Sequence, residues 1–433
     1  ALALPGDGEV PPMNTLVPRG MTRRHFVEHL AASSALAGSA LALGHTLRTH
    51  AAELARGHKS CILLWMGGGP PTIDMWDMKP GAATAGDFQP IGTTGEGQIN
   101  ELLPQVAGQM KHLSIVRSMS TREADHTRAT YYLHTAYVPN PSVVHPGYGS
   151  VVARELHEAT AQLEIPPFVS IGGASEGPGF LGMAYAPFQV DSNGRVRDLQ
   201  APVAGARMAD RAELLRLLEA RFLRENRGAA AADHAEVLER ALNLMSSRQM
   251  EAFRVDGEPP AVRERYGNTG FGRGCLMARR LVEAGVPCVE VNFGGWDLHQ
   301  NCFTTLRTKL PELDQAMSAL VSDLVERGRW QDTVVLWMGE FGRTPRINAQ
   351  AGRDHWARSW SVVLGGGGLA GGRVVGATNE DGTQVVGDAY SSEDLMATVC
   401  SALGISLERI YEARNGRPMK IAGGGTPIAP LLG

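Results

Sequence analysis

The chain has 433 residues, 43% of them apolar and 20% charged, a balance that excludes both a disordered polar tail and a polytopic membrane protein. Lys plus Arg number 41 against 45 Asp plus Glu, a net charge of −4 with no long run of either sign, so the basic footprint that nucleic-acid phosphates require is missing. The 52 glycines, about 12% where about 7% is typical, cluster beside apolar runs and predict tight loops at strand ends.

Near the start, Thr22-Arg23-Arg24-His25-Phe26-Val27 precedes an apolar, small-residue run at 31–43 (AASSALAGSALAL). That run is shorter than the roughly 20 residues a helix needs to span a bilayer, and it suits the apolar core of a secretory signal. With the paired arginines ahead of it, the segment looks like a twin-arginine export signal. The expectation is a signal and linker over 1–50, and a mature chain without a transmembrane span in the periplasm or at the cell surface. The five cysteines are scattered without a CxxC pair, which argues against a thiolate zinc site; Cys61 and Cys288, inside apolar runs, read as packing thiols.

After residue 58, short apolar runs ending in Gly or acidic loops alternate with helical stretches. Strands are predicted at 60–66, 113–119, 168–171, 288–293, 333–338 and 361–364, and helices at 101–111, 125–137, 148–162, 272–285, 305–327 and 392–403. This order predicts an α/β domain over 58–430, a three-layer sandwich with a mostly parallel central sheet covered on both faces. Residues 205–257 break the rhythm with Ala-, Leu-, Arg- and Glu-rich text such as MADRAELLRLLEARFLREN. They predict a helical insertion or cap, and a candidate face for a protein partner.

Open parallel sheets bind ligands beyond the carboxyl ends of their strands, so the loops there carry the candidate chemistry. The first strand is followed by GGGPPTIDMWD with Asp74 and Asp77, and the second by STREADHT with Asp125, His126 and Thr127. CVEVNF leads into GGWDLH with Asp297 and His299, and TVVLWM into GEFGRTP with Glu340 and Arg343. GRDHW, with Asp354 and His355, stands just before the last predicted strand. Carboxylates and imidazoles without thiolates suit zinc, manganese or another divalent ion at a hydrolytic centre. The Asp-x-His spacing puts Asp297 and His299 on the same side of an extended segment, where one metal can take both.

The motifs GGGPPTIDMWDMKP, GGWDLH, GEFGRTP, GRDHWARSWSVVLGGGGLAGGRVVGATNEDG and GGGTPIAPLLG together resemble the DUF1501 family of exported bacterial proteins. That family is grouped with the alkaline phosphatase and sulfatase superfamily. The resemblance implies an alkaline phosphatase-like fold, divalent metals at the sheet edge and hydrolysis of an anionic phosphate or sulfate ester. It matches Asp74, then Asp297 and His299, then Glu340 where the superfamily has an Asp-His pair and this chain continues with Phe341, and last His355; Asp354 adjoins that set. The superfamily's Ser, Thr or Cys nucleophile opens a helix upstream of a Thr-Gly. Here LHTA at 133–136 stands in that place, and counting back lands on His126, with Thr127 beside it.

The metal set expected is therefore Asp74, His126, Asp297, His299, Glu340, Asp354 and His355, with zinc foremost and manganese or calcium as alternatives. His126 is expected to act as ligand or nucleophile, ahead of Thr127, and Arg343, with Arg128 less so, to bind a substrate oxyanion through paired donors. Two other motifs compete. Gly173-Ala-Ser175-Glu-Gly177 matches GxSxG, but Pro178 and Gly179 forbid the helix a nucleophile elbow needs. Gly67 to Gly69 follows a strand, but Pro70-Pro71 replaces the glycine and helix start of a dinucleotide loop. The function expected is an exported metal-dependent hydrolase of phosphate or sulfate esters. The alternative is a non-catalytic, metal-stabilised binding or assembly protein at the cell surface.

Overall fold

The structure, a computed structural model, describes residues 59–157, 163–195, 247–413 and 415–432, with isolated positions between 207 and 244. The arginine pair and apolar run read as an export signal lie outside the described residues. Most of 205–257 does too; its described positions from 207 to 244 are helical, and Arg248–Phe253 and Val255–Gly257 form 3-10 turns. Among the described residues no helix is long and apolar enough to cross a membrane.

Eight strands build the central sheet: β1 (Ser60–Trp65), β2 (Leu113–Met119), β3 (Phe168–Ile171), β4 (Phe188–Val190), β5 (Cys288–Asn292), β6 (Thr333–Met338), β7 (Trp360–Gly366) and β8 (Val374–Val375). Their order in space is β8-β2-β7-β6-β1-β5-β3-β4. Every pairing is parallel except those of β7, which runs antiparallel to β2 and β6. Helices bounded within the described residues include α1 (Pro104–Gln109), α2 (His126–Thr135), α3 (Tyr148–His157), α4 (Pro260–Tyr266), α5 (Gly270–Glu283), α6 (Cys302–Glu326) and α7 (Ser392–Ala402).

Central strands such as β1 and β6 are buried along their whole length, so their text is continuously apolar instead of alternating. Within β1 the two-residue period still sorts side chains: Ile62 and Leu64 join a core with α1, α4, α5 and α6, while Cys61, Leu63 and Trp65 join another with α2, α3 and α7. Helices thus cover both faces, the three-layer arrangement expected from sequence. The sequence reading did not anticipate α4, β4 or β8. The two strands hold three and two residues, too few to show a period, and the proline pair opening α4 reads as a loop although proline suits a first helical turn.

The direction of β7 decides the geometry of the site. Because β7 runs against its neighbours β2 and β6 and begins where they end, the loop leading into it meets the loops leaving β1, β2, β5 and β6 at one edge.

Several charged residues are buried among the described residues, and Glu290 is one that meets a histidine. Glu290 of β5 is buried, accepts hydrogen bonds from Ser175 Oγ (2.5 Å) and Asn292 Nδ2 (3.2 Å), and lies 3.3 Å from His134 Nε2 near the end of α2. Burial opposes a charge on the imidazole, but the Glu290 carboxylate and the Thr130 carbonyl outweigh it and hold its pKa above the usual 6.5. A raised histidine pKa stabilises the fold below the unfolded value, and that contribution is lost as pH rises through the folded value. The unfolding free-energy difference between wild type and His134→Gln should therefore be largest below pH 6.5 and shrink above it. Urea titrations across the range check this, and a difference independent of pH would contradict the ion pair.

Candidate metal centre

The loop leaving β1 carries Gly67-Gly68-Gly69. Gly68 has φ of +116°, and a Cβ there would lie 2.4 Å from the Asp297 amide nitrogen; at Gly69, with φ of +70°, a Cβ would lie 2.6 Å from the Phe341 ring. Only glycine lets this loop approach the Asp297 loop so closely. The contact is used at once: Gly68 N–H donates to Glu340 Oε1 (2.9 Å), and the Gly68 carbonyl accepts from Arg343.

His126 is the first residue of α2, whose start is fixed by Asp125 accepting from the Arg128 N–H at 3.0 Å. His126 Nδ1 lies 2.7 Å from Glu340 Oε1, and its Nε2 faces Asp297 Oδ1 at 3.3 Å. His299 follows the same plan, with Nδ1 2.8 Å from Asp354 Oδ1 and Nε2 3.1 Å from Asp297 Oδ1. So does His355, with Nδ1 2.8 Å from the Ala124 carbonyl and Nε2 3.4 Å from Asp297 Oδ1. Three imidazoles from three loops thus turn Nδ1 outward to an oxygen and Nε2 inward to a single carboxylate oxygen.

This arrangement can be tested against a metal. Glu340, Asp354 and the Ala124 carbonyl present acceptor oxygens, so they call for the proton on each Nδ1. The Nε2 atoms of His299 and His355 are 3.0 Å apart and cannot both be protonated, so at least one directs a bare lone pair at its neighbour. His126, Asp297 and His355 bring ligand atoms within 4.8 Å of one another, and His126 Nε2 has no hydrogen-bond partner. Nε2 lone pairs converging on a carboxylate, whose Oδ1 accepts a hydrogen bond from Arg343, are what a divalent cation satisfies, so the residues fit a metal. The four side chains remain 25–49% exposed, which leaves the centre open to solvent.

Charge around the centre follows from these contacts. Burial pulls the Asp297 carboxyl up, but the hydrogen bond and charge of Arg343, helped by His126 and His299, take it down to about 2. The Glu340 hydrogen bond raises His126 against the opposing effect of burial, whereas burial, with Arg343 and His126 nearby, lowers His355. The His299 hydrogen bond lowers Asp354.

The other residues expected here are placed differently. Asp74 does not join the centre: its carboxylate is buried and gripped by Arg353, Nε to Oδ2 and Nη2 to Oδ1 at 2.7 Å each. Burial raises its carboxyl pKa, and Arg353 only partly offsets this. Asp77 pairs with Lys79 at 3.0 Å. Arg343 is buried, its donors taken by the carbonyls of Gly69 (2.7 Å), Arg353 (3.1 Å) and Gly68 and by Asp297 Oδ1 (2.5 Å). Arg128 makes a two-pronged contact with Glu123 at 2.7 Å. Thr127 is exposed beside His126. Ser175 donates to Glu290, so its hydroxyl has no imidazole base, and a 3-10 turn, Gly179–Leu181, stands where a nucleophile elbow needs a helix.

Sequence reasoning gave no role to four participants. Arg353 stands inside the motif that supplied Asp354 and His355, and a buried arginine beside two candidate ligands was the available signal. The Ala124 carbonyl and the Gly68 N–H are backbone groups that no residue type announces. Phe341 is fully buried, its ring centroid 5.0 Å from that of His126 and 4.6 Å from that of His355, and forms an apolar floor beneath both.

The family model described as "Protein of unknown function (DUF1501)" matches residues 58–432. The chain belongs to the DUF1501 family. No curated protein matches this DUF1501 chain. Solved structures similar to it include a lipoteichoic acid synthase from Listeria monocytogenes, 9% identical over 86% of this chain and 76% of that one, TM-score 0.38. Another is a protein in the alkaline phosphatase superfamily from Vibrio parahaemolyticus, 11% identical over 87% and 70% of the two chains, TM-score 0.39. A third is a phosphonate monoester hydrolase from Silicibacter pomeroyi, 12% identical over 86% and 76%, TM-score 0.37.

Proposed function

We propose that this DUF1501 protein is a metal-dependent hydrolase of phosphate or sulfate esters. The observation that carries the reading is the convergence of three imidazole Nε2 atoms on one Asp297 oxygen at the carboxyl edge of the sheet, with the side chains partly exposed. His126, Asp297, His299 and His355 would hold the ion, which supplies Lewis acidity toward an ester oxygen when bound. The start of α2 favours an anion beside His126, and Arg343 orients Asp297. Both ring nitrogens of His126 are directed at carboxylates, which favours its role as ligand over that of nucleophile.

A specific observation favours a second reading, a metal-stabilised binding protein without turnover. Of the groups expected to do chemistry, Thr127 is solvent-exposed and each of the three Arg343 guanidinium nitrogens already donates within the protein. Purified protein assayed on generic aryl phosphates and sulfates, with and without chelator, separates the two. The hydrolase reading expects turnover that chelation abolishes and zinc restores; bound metal with no turnover of either ester class would leave the binding reading.

A further inference from the structure

We infer that the centre takes one divalent ion of the zinc-like, borderline class, not two, and that Glu340 and Asp354 act as acceptors for its histidines and not as ligands. This rests on the metal-dependent reading above and deepens it.

Asp74, Glu340 and Asp354 already have partners within the protein. A second ion needs a second set of free oxygens or nitrogens. Both Asp74 oxygens are held by the Arg353 guanidinium, in a buried pair without room for another cation at the same atoms. Glu340 Oε1 accepts from both His126 Nδ1 and the Gly68 N–H, and Asp354 Oδ1 takes His299 Nδ1 at 2.8 Å and Asn348 Nδ2 at 3.3 Å. The Phe341 ring closes the space beneath His126 and His355 with carbon. Glu340 Oε2 is buried without a hydrogen-bond partner, but a single buried oxygen does not make a second site.

What faces inward is three imidazole nitrogens and the Asp297 carboxylate, whose Oδ1 also accepts from Arg343. That nitrogen-rich set suits zinc and its neighbours in the first transition row, whereas calcium and magnesium prefer six or more oxygens. Carboxylates behind metal-bound histidines set the tautomer and raise the basicity of the ring, and losing such a partner typically weakens metal binding about 10- to 100-fold without removing the site.

The test is metal stoichiometry, read by elemental analysis after stripping with chelator, reloading with zinc and dialysis. One zinc per chain is expected. Two per chain would overturn the inference while leaving the metal-dependent reading intact; none would overturn that reading itself. Glu340→Gln, which keeps an acceptor for His126, should still load one zinc at saturation with affinity lowered about 10- to 100-fold by competition with a chromophoric chelator. His355→Ala should load none. A Glu340→Gln chain of native circular dichroism that loses an ion at saturating zinc would show Glu340 to be a ligand. Calcium displacing zinc at comparable concentration would overturn the assigned class.

Discussion

Asp297→Ala should lose its metal and its ester turnover together while keeping its fold. Asp297 Oδ1 is the point that His126, His299 and His355 all face, so its removal takes away the single negative ligand. It also frees the buried Arg343 guanidinium, now an unneutralised cation beside the place where another cation must sit. Both effects act against the metal, and the expected loss of affinity exceeds that for any single histidine. The side chain is 49% exposed, so little packing is disturbed. Elemental analysis, ester hydrolysis and a melting curve in chelator read the three quantities separately. Wild-type metal content in this variant would refute the assignment of Asp297 as the hub.

Arg353→Met should destabilise the chain by about 3–5 kcal/mol, the usual consequence of leaving one partner of a buried ion pair uncompensated. Asp74 and Arg353 are 2% and 0% exposed, and the guanidinium also donates to the carbonyls of Thr344 (3.0 Å), Thr84 (2.9 Å) and Pro345. Asp74→Leu combined with Arg353→Met should recover part of the loss, since an apolar pair removes the stranded charge but not the orphaned carbonyls. Urea unfolding of the two single variants and the double variant measures the coupling. Additive losses would mean that the pair contributes no mutual stabilisation.

Much of the architecture was legible because its signals are local. Strands buried on both faces announce themselves as unbroken apolar runs, and the loops that follow them carried His126, Asp297, His299 and Glu340 to one edge by direction alone. The reading of His355 needed more: its loop precedes a strand, so it reaches the same edge only because β7 runs against its neighbours. What sequence could not show is partnership. Asp74 stands at the strand end like its fellow acids, and nothing local reveals the arginine 279 positions away that occupies it. Likewise a glutamate at a strand end has the same letter whether it touches a metal or the far side of a histidine. The outward Nδ1 contacts decide between these, and one of them goes to a main-chain carbonyl.

The inverted course of β7 also bears on when the centre can exist. His126 and Glu340 are separated by 214 positions, and His355 reaches the Ala124 carbonyl across 231, so no segment of the nascent chain holds more than a fragment of the cluster. The loop with His355 is placed only once β7 has inserted between β2 and β6, joining early and late parts of the sequence. Closures of that length are slow and come late. A cation taken by these donors would therefore be expected to act as a latch on a finished fold, slowing escape from the native state without hastening arrival there.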